Sequence, residues 1–398
     1  MSVINIINAD IVLPDRILKN SCIAVEDGII HKIDSCTCSG EIIDAQGAYL
    51  MPGMIDIHSD NIEQVVEPRP GSLMDIAFAF RQQEKQLICN GITTMYHSLS
   101  MWPKLKNANP RGGTVRKAAR EDECMRKIIE EISNAEKSRM LINHKLHLRF
   151  DVTYIEAVDA LLDLLNSGSV SLLSFMDHTP GQGQYRDIEK LKEFVRGNNP
   201  TVSEDVIDAQ MAARMDVQRV PPQTIAKIAE TAHNRGIAVA SHDDDSIEKV
   251  DTVVDEWDAD ISEFPVEIDV ARHAKKRGME TLGGAANVLL GKSHSGNMSA
   301  IEGILDGSIT MLCSDYYPPA MLQSVFILHK KHGIPLHDCV NFVTLAPARS
   351  VAIDDCLGSI AQGKTADLIM VDASGEYPIV KTVMTNGKST AEFATNLH

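Results

Sequence analysis

Five times along this chain a short apolar run stops at a histidine or an aspartate, and no other feature narrows the choice of fold as much. GMIDIHSDN closes on His58, Asp60 and Asn61, HKLHLRFD on His147, Arg149 and Asp151, and LLSFMDHTPGQG on Asp177 and His178. IAVASHDDD closes on Ser241, His242 and Asp243, and ITMLCSDYYP on Asp315, just before a proline-containing loop. Helical stretches such as EDECMRKIIEEISNAEKSRM and IEAVDALLDLLNSG lie between these runs. Strand and helix in alternation build βα units around a parallel sheet. When such a sheet closes into a barrel, the C-terminal ends of its strands share one face, and catalytic groups collect there.

The two ends of the chain have a different rhythm. INIINADIVLP, CIAVEDGIIHKID and EIIDAQGAYLMPG are rich in Ile and Val and punctuated by Asp-Gly and Gly; GSIAQGKTADLIMVD and YPIVKTVMTNGKS repeat the pattern near the C-terminus. These read as short strands joined by turns. The economical α/β architecture is a (β/α)8 TIM-type barrel over residues 54–357, with a small β-sandwich domain built from both termini, residues 1–53 and 358–398. A doubly wound open sheet is the structural alternative, because periodicity does not separate the two. Residues 182–222 are polar and mainly helical, follow a strand directly and exceed an ordinary βα loop. They read as a helical insertion, either a lid over the active-site face or a peripheral decoration.

Bulk properties exclude some classes of function. A formal net charge of −17 argues against general nucleic-acid binding, which needs a basic face. It leaves a phosphorylated substrate open, since bound cations and a few local basic groups invert the field inside a cleft. No apolar run approaches the ~20 residues that cross a bilayer, and MSVINIINADIVLPD has neither the basic nor the apolar region of a signal peptide. A cytoplasmic location and no membrane partner are expected. The eight cysteines are scattered, with only Cys36 and Cys38 close together, so they read as reduced thiols.

A single histidine at a strand end is ordinarily a satisfied polar residue, and an aspartate there is commonly a helix N-cap. Five such ends in one chain are hard to explain by capping. Imidazole with carboxylate is the ligand set of zinc, with manganese or iron as other occupants. Two such ions with a shared water supply a nucleophile near neutral pH. His147, Arg149 and Asp151 occupy alternate positions, which places them on one side of their strand.

The order H-x-D, carboxylate, His, His, Asp resembles the amidohydrolase superfamily. Within it, HSDNIE with EPRPG, NGITTM, LHLRFD, MDHTPGQGQ, ASHDDD, EFP, GAANVLLGKSHSGN and SDYYP resemble the triphosphate diphosphohydrolases of alkylphosphonate breakdown, nearly end to end. The resemblance implies a metal-dependent hydrolase that releases diphosphate from a small phosphorylated sugar phosphonate, with two divalent ions as cofactors. It makes His58 and Asp60 ligands of one ion, His178 and His242 ligands of the other, and Asp151 the bridging carboxylate. Asp315 would touch a metal and act as the catalytic general base. Three departures stand out. Asp60 replaces the commoner second histidine, Asp151 stands where the resemblance leads to a glutamate, with His147 as the other candidate ligand, and His97 occupies an expected acidic position. His97 is then an additional ligand, a substrate contact or a neutral replacement.

A triphosphate needs cations and backbone donors. EPRPG offers Arg69 between two prolines, and GKSHSGN offers Lys292, His294 and Asn297 at a donor-rich turn bounded by Gly291 and Gly296. TPGQGQ, with Gly181 and Gly183, can do the same. The competing activity on this scaffold is a cyclic amidase or deaminase of the hydantoinase or dihydroorotase kind. Those enzymes often carry a carboxylated lysine on a barrel strand, and LHLRFD, taken as the matching strand, has only its leading Lys145. A homo-oligomer is compatible with all of this.

Overall fold

Strands that begin and end a chain can pair with each other only if the middle of the chain folds back on itself, and here it does. In the computed structural model β1 (Val3–Val12), β2 (Ile17–Glu26), β3 (Ile29–Ile33), β4 (Glu41–Asp44) and β5 (Tyr49–Pro52) share one sheet with β14 (Leu368–Asp372), β15 (Ile379–Thr385) and β16 (Lys388–Glu392). β14 pairs antiparallel with β5, which ties the C-terminal hairpin to the N-terminal strands. Ile6, Ile11, Ile23, Leu50, Leu368 and Met370 are among the buried residues of its separate core. The structure describes residues 2–37, 39–69, 71–103, 120–138, 141–183, 186, 188–198, 203–215, 217–291 and 297–393.

The middle of the chain supplies eight strands: β6 (Met54–Ser59), β7 (Ile92–Met101), β8 (Asn143–Asp151), β9 (Leu172–Met176), β10 (Ala238–His242), β11 (Ile261–Glu263), β12 (Glu280–Gly284) and β13 (Met311–Cys313). They pair in chain order and in parallel. A bridge between Ser59 and Asp315 joins the end of the sheet to its beginning. The result is a near-closed eight-stranded barrel with helices outside, not the doubly wound sheet. LHLRFD is its third strand and LLSFM its fourth.

Alternation along each strand divides the barrel into layers. Ile55, Tyr96, Leu172, Ala240, Ile261, Leu282, Met311 and Cys313 form one apolar cluster inside. Leu146, Leu148 and Phe150 of β8 pack outward with Leu173, Phe175 and Val239. Burial of each such side chain contributes about 1.5–3 kcal/mol, so the apolar layers hold the barrel shape while a polar layer sits above them. His147, Arg149 and Asp151 therefore face inward, as their spacing predicts.

β6 departs from simple alternation. Asp56 pairs with Met95 but Ser59 pairs with His97, so one extra residue is inserted between them. A bulge of this kind re-aims a side chain, and the ring of His58 meets β8, β10 and β11 residues inside the barrel. Within the expected insertion, helices Ile188–Asn198 and Glu204–Met215 share a small core of Leu191, Val195, Ile207 and Met211. The Gly183 N–H donates to Asp245 Oδ2 at 2.5 Å, and Arg186 pairs with Glu267 at 2.6 Å, fastening the start of this segment to the loops after β10 and β11. Among the described residues no helix is long and apolar enough to cross a membrane.

Candidate metal centre

The polar layer converges on a residue that strand-end reasoning missed. Glu263 ends β11, a strand of three residues, and is fully buried. Its Oε1 lies 2.9 Å from His58 Nδ1 and 3.6 Å from His147 Nε2, and its Oε2 lies 3.1 Å from His242 Nδ1. Burial opposes a charge on Glu263, but the three surrounding imidazoles pull its carboxyl well below the usual range. Burial likewise lowers His58, yet the Glu263 carboxylate overrides it and holds His58 above its ordinary value.

Among the described residues, two groups of side chains have ligand atoms close enough to hold an ion: His58, His147 and Glu263, and His178, His242 and Asp243. The first group passes a direct test. His147 Nδ1 lies 3.1 Å from Ser98 Oγ, while its Nε2 is buried and has no hydrogen-bond partner among the described residues. Burial pushes His147 down to about 3, so the ring is neutral and offers a lone pair. A neutral imidazole oriented from its far nitrogen is the state in which histidine binds metals. In the second group, burial and then Arg149 hold His242 well below its ordinary value. Burial pushes Asp243 up to about 7, partly offset by Lys249 and Arg149. Asp243 also has a left-handed backbone, φ 53°, and Lys249 Nζ steadies this turn by donating to the carbonyls of His242 (3.0 Å) and Asp243 (3.1 Å). Aspartate is among the few residues that adopt such a conformation readily.

The other expected residues take distinct positions. Asp60 is the N-cap residue of helix Asn61–Val66, but its side chain makes no cap bond; Oδ1 instead accepts from Arg149 Nη1 at 2.8 Å. The general explanation of strand-end aspartates as caps thus fails at this one. Asp151 Oδ1 accepts from the Thr153 N–H at 2.9 Å and from the Thr153 hydroxyl, and Oδ2 lies 3.8 Å from His178 Nδ1. Asp177 is occupied by Thr179 and by Arg219 Nε at 2.9 Å. Asp315 follows β13 with φ 60°; its N–H donates to the His58 carbonyl at 3.1 Å and its carbonyl accepts from Asp60 N–H at 2.7 Å. Its backbone is therefore locked against the His-x-Asp turn.

Arg69 is exposed and Asn297 half-buried, whereas Lys292 and His294 lie outside the described residues. His97 is turned away from the lumen. Its Nε2 lies 2.9 Å from His144 Nδ1, and both rings pack on Phe80 between the barrel and helix Ile76–Cys89. Inside, Trp102 stacks on His178 with ring centroids 4.6 Å apart, and Arg120, held by Glu63, lies 5.7 Å over the Trp102 ring. These contacts had no local sequence signal.

Comparison with known proteins agrees with this geometry. The amidohydrolase family model matches residues 49–390. The alpha-D-ribose 1-methylphosphonate 5-triphosphate diphosphatase of Escherichia coli (strain K12) is 30% identical over 390 residues, covering 96% of this chain and 98% of that protein. N-acetylglucosamine-6-phosphate deacetylase from Pasteurella multocida superposes with a TM-score of 0.61 at 16% identity, covering 97% of this chain and 99% of that one. A Xaa-Pro dipeptidase with bound methionine gives 0.64 at 13% identity, over 98% and 100% of the two chains. The last two speak for the fold alone. The barrel, the histidine–carboxylate layer at its strand ends and the family match together make the chain a member of the amidohydrolase family, a hydrolase scaffold.

Proposed function

We propose that this protein hydrolyses the triphosphate of α-D-ribose 1-alkylphosphonate 5-triphosphate to the 5-phosphate and diphosphate. The observation that carries this reading is the end-to-end similarity, 30% over 96% of the chain, to a diphosphatase of that substrate class. Two divalent ions fit the two ligand groups, zinc first, with manganese and iron as alternatives. Asp60 and Asp151 complete the donor set beside His58, His178 and His242. Ions held by these residues would acidify a bound water and polarise a phosphoryl oxygen.

The chain's own residues supply the rest. Asp315, fixed beside the His58–Asp60 turn, accepts a proton from the attacking water as its oxygen bonds to phosphorus. The same proton passes to the departing diphosphate as the anhydride P–O bond breaks, so no other co-reactant is needed. Arg69, Lys292, His294 and Asn297 are the residues assigned to the phosphoryl oxygens, where donors stabilise developing charge.

Diphosphate release from the 1-methylphosphonate 5-triphosphate, with metal content measured in parallel, tests the reading. The wild-type protein is expected to release one diphosphate per substrate. His178→Ala is expected to lose at least ~100-fold in rate, as disturbed metal sites do. Wild-type turnover by the variant sinks the metal-assisted scheme, and turnover of hydantoin or dihydroorotate in place of the triphosphate sinks the substrate.

A further inference from the structure

The inward face of β8 places a permanent cation among the ligands. Arg149 is only 5% exposed, donates from Nη1 to Asp60 Oδ1 at 2.8 Å, and has Nη2 2.9 Å from His242 Nε2. Guanidinium has five N–H donors and no acceptor, so His242 Nε2 must be the acceptor. The proton of that ring then sits on Nδ1 and is donated to Glu263 Oε2 at 3.1 Å. The lone pair of His242 thus sits on Nε2, which also lies 3.5 Å from Asp243 Oδ2. It is therefore the lone pair that an ion in the His178–His242–Asp243 group would use. A lone pair that accepts a hydrogen bond from Arg149 cannot at the same time coordinate an ion. In the His58–His147–Glu263 group, by contrast, His147 Nε2 has no hydrogen-bond partner among the described residues.

We propose that Arg149 is a built-in competitor for one of the two ion positions, so that the site loads its ions in a fixed order with very unequal affinity. The first ion enters at His58, His147 and Glu263. The second, at His178, His242 and Asp243, binds only as Arg149 releases His242 Nε2, a release that also takes Arg149 away from the Asp60 carboxylate. Charge adds to the competition, because a dication brought beside a buried guanidinium is repelled in a medium of low dielectric. Arg149 is thus a positioning residue that sets metal stoichiometry at limiting metal. The inference concerns ion binding only and is independent of which substrate the enzyme takes.

The test is titration of the full-length, metal-stripped protein with Co²⁺, followed by visible absorption and by calorimetry, without substrate. The wild-type protein is expected to bind one ion tightly and a second at least ~100-fold more weakly, a difference of the size that competing charges produce. His147→Ala is expected to abolish the tight phase and His178→Ala the weak one. Arg149→Met keeps the aliphatic stem and removes charge and donors, and should tighten the second ion at least ~10-fold and by more than it tightens the first. Arg149→Lys keeps the charge but cannot span both partners, and is expected to fall between wild type and Arg149→Met; it decides the matter if Arg149→Met does not fold. Two ions of like affinity in the wild type overturn the proposal. So does a second ion bound no more tightly in either folded Arg149 variant than in the wild type.

Discussion

Two buried histidine–carboxylate clusters lie on opposite faces of β8. Inside the barrel, β8 contributes His147 to the group around Glu263; outside, β7 and β8 contribute His97 and His144 to a group around Glu84. Both contain stacked imidazoles and a carboxylate, and both are almost wholly excluded from solvent. Their chemistry differs because their lone pairs are arranged differently. The outer cluster is a line. Glu84 Oε1 accepts from the backbone N–H groups of Leu141 (2.6 Å) and Ile142 (3.3 Å) and lies 3.2 Å from His144 Nε2, while His144 Nδ1 meets His97 Nε2. Each contact consumes one donor and one acceptor, and Phe80 covers both rings. Such a relay fastens the strand pair to helix Ile76–Cys89. The inner cluster converges: Glu263 is shared by three imidazoles, and two further carboxylates, Asp60 and Asp243, flank the same space. Convergence of neutral nitrogens with several carboxylates is what a dication needs, and residue type alone does not supply it.

The sharpest way to break this contrast is to remove each carboxylate or ring in turn. Glu263→Ala leaves His58 and His242 without their buried acceptor. It is expected to cost about 3–5 kcal/mol of stability, the range for removing one member of a buried charged set. It should also lower bound metal to trace levels, read from denaturant midpoints and elemental analysis. Full metal content in that variant would make the centre something other than the inner cluster. His97→Leu strands one buried nitrogen of His144 and is expected to cost about 1–3 kcal/mol, with metal content unchanged. Loss of metal in this variant would show that the outer relay is not merely structural.

The smallest effect is in pH. Burial, reinforced by His144, holds His97 well below its ordinary value. The unfolded chain therefore takes up a proton near pH 6.5 that the folded chain refuses. Stability from this group is fully present above that pH and declines as pH falls, by about 1.4 kcal/mol per unit. His147 and His242 act in the same direction, so the informative quantity is the difference between wild type and His97→Leu. Denaturant midpoints of metal-free protein between pH 6.5 and 5 should fall less steeply in the variant. Parallel slopes would mean that His97 is protonated when folded.

Some of this contrast was legible in the amino-acid sequence. Alternation of His147, Arg149 and Asp151 needs only the two-residue period of a strand, and the structure turns all three the same way. His97 had no such guide, since β7 is buried on both faces and its sequence does not say which side is the lumen. Glu263 was hidden for another reason. ISE is a strand only because β10 and β12 flank it, and three residues carry no periodicity to read. The bulge that aims His58 inward exists in the register of β6 against β7, a relation between segments some 40 residues apart.

By itself the sequence determined the βα alternation, the strand-like termini and the polar residues that end the strands, because each depends on neighbours a few positions away. Tertiary structure alone decided which of those residues meet. Barrel closure brings β6 beside β13 and β8 across from β11, so Asp315 is locked to the His58–Asp60 turn and Glu263 reaches three histidines. Arg149 owes its place between Asp60 and His242 to that same closure. The physical reason is that local propensities act within one strand or helix, whereas a binding centre is made of contacts between strands, and only long-range packing sets those distances.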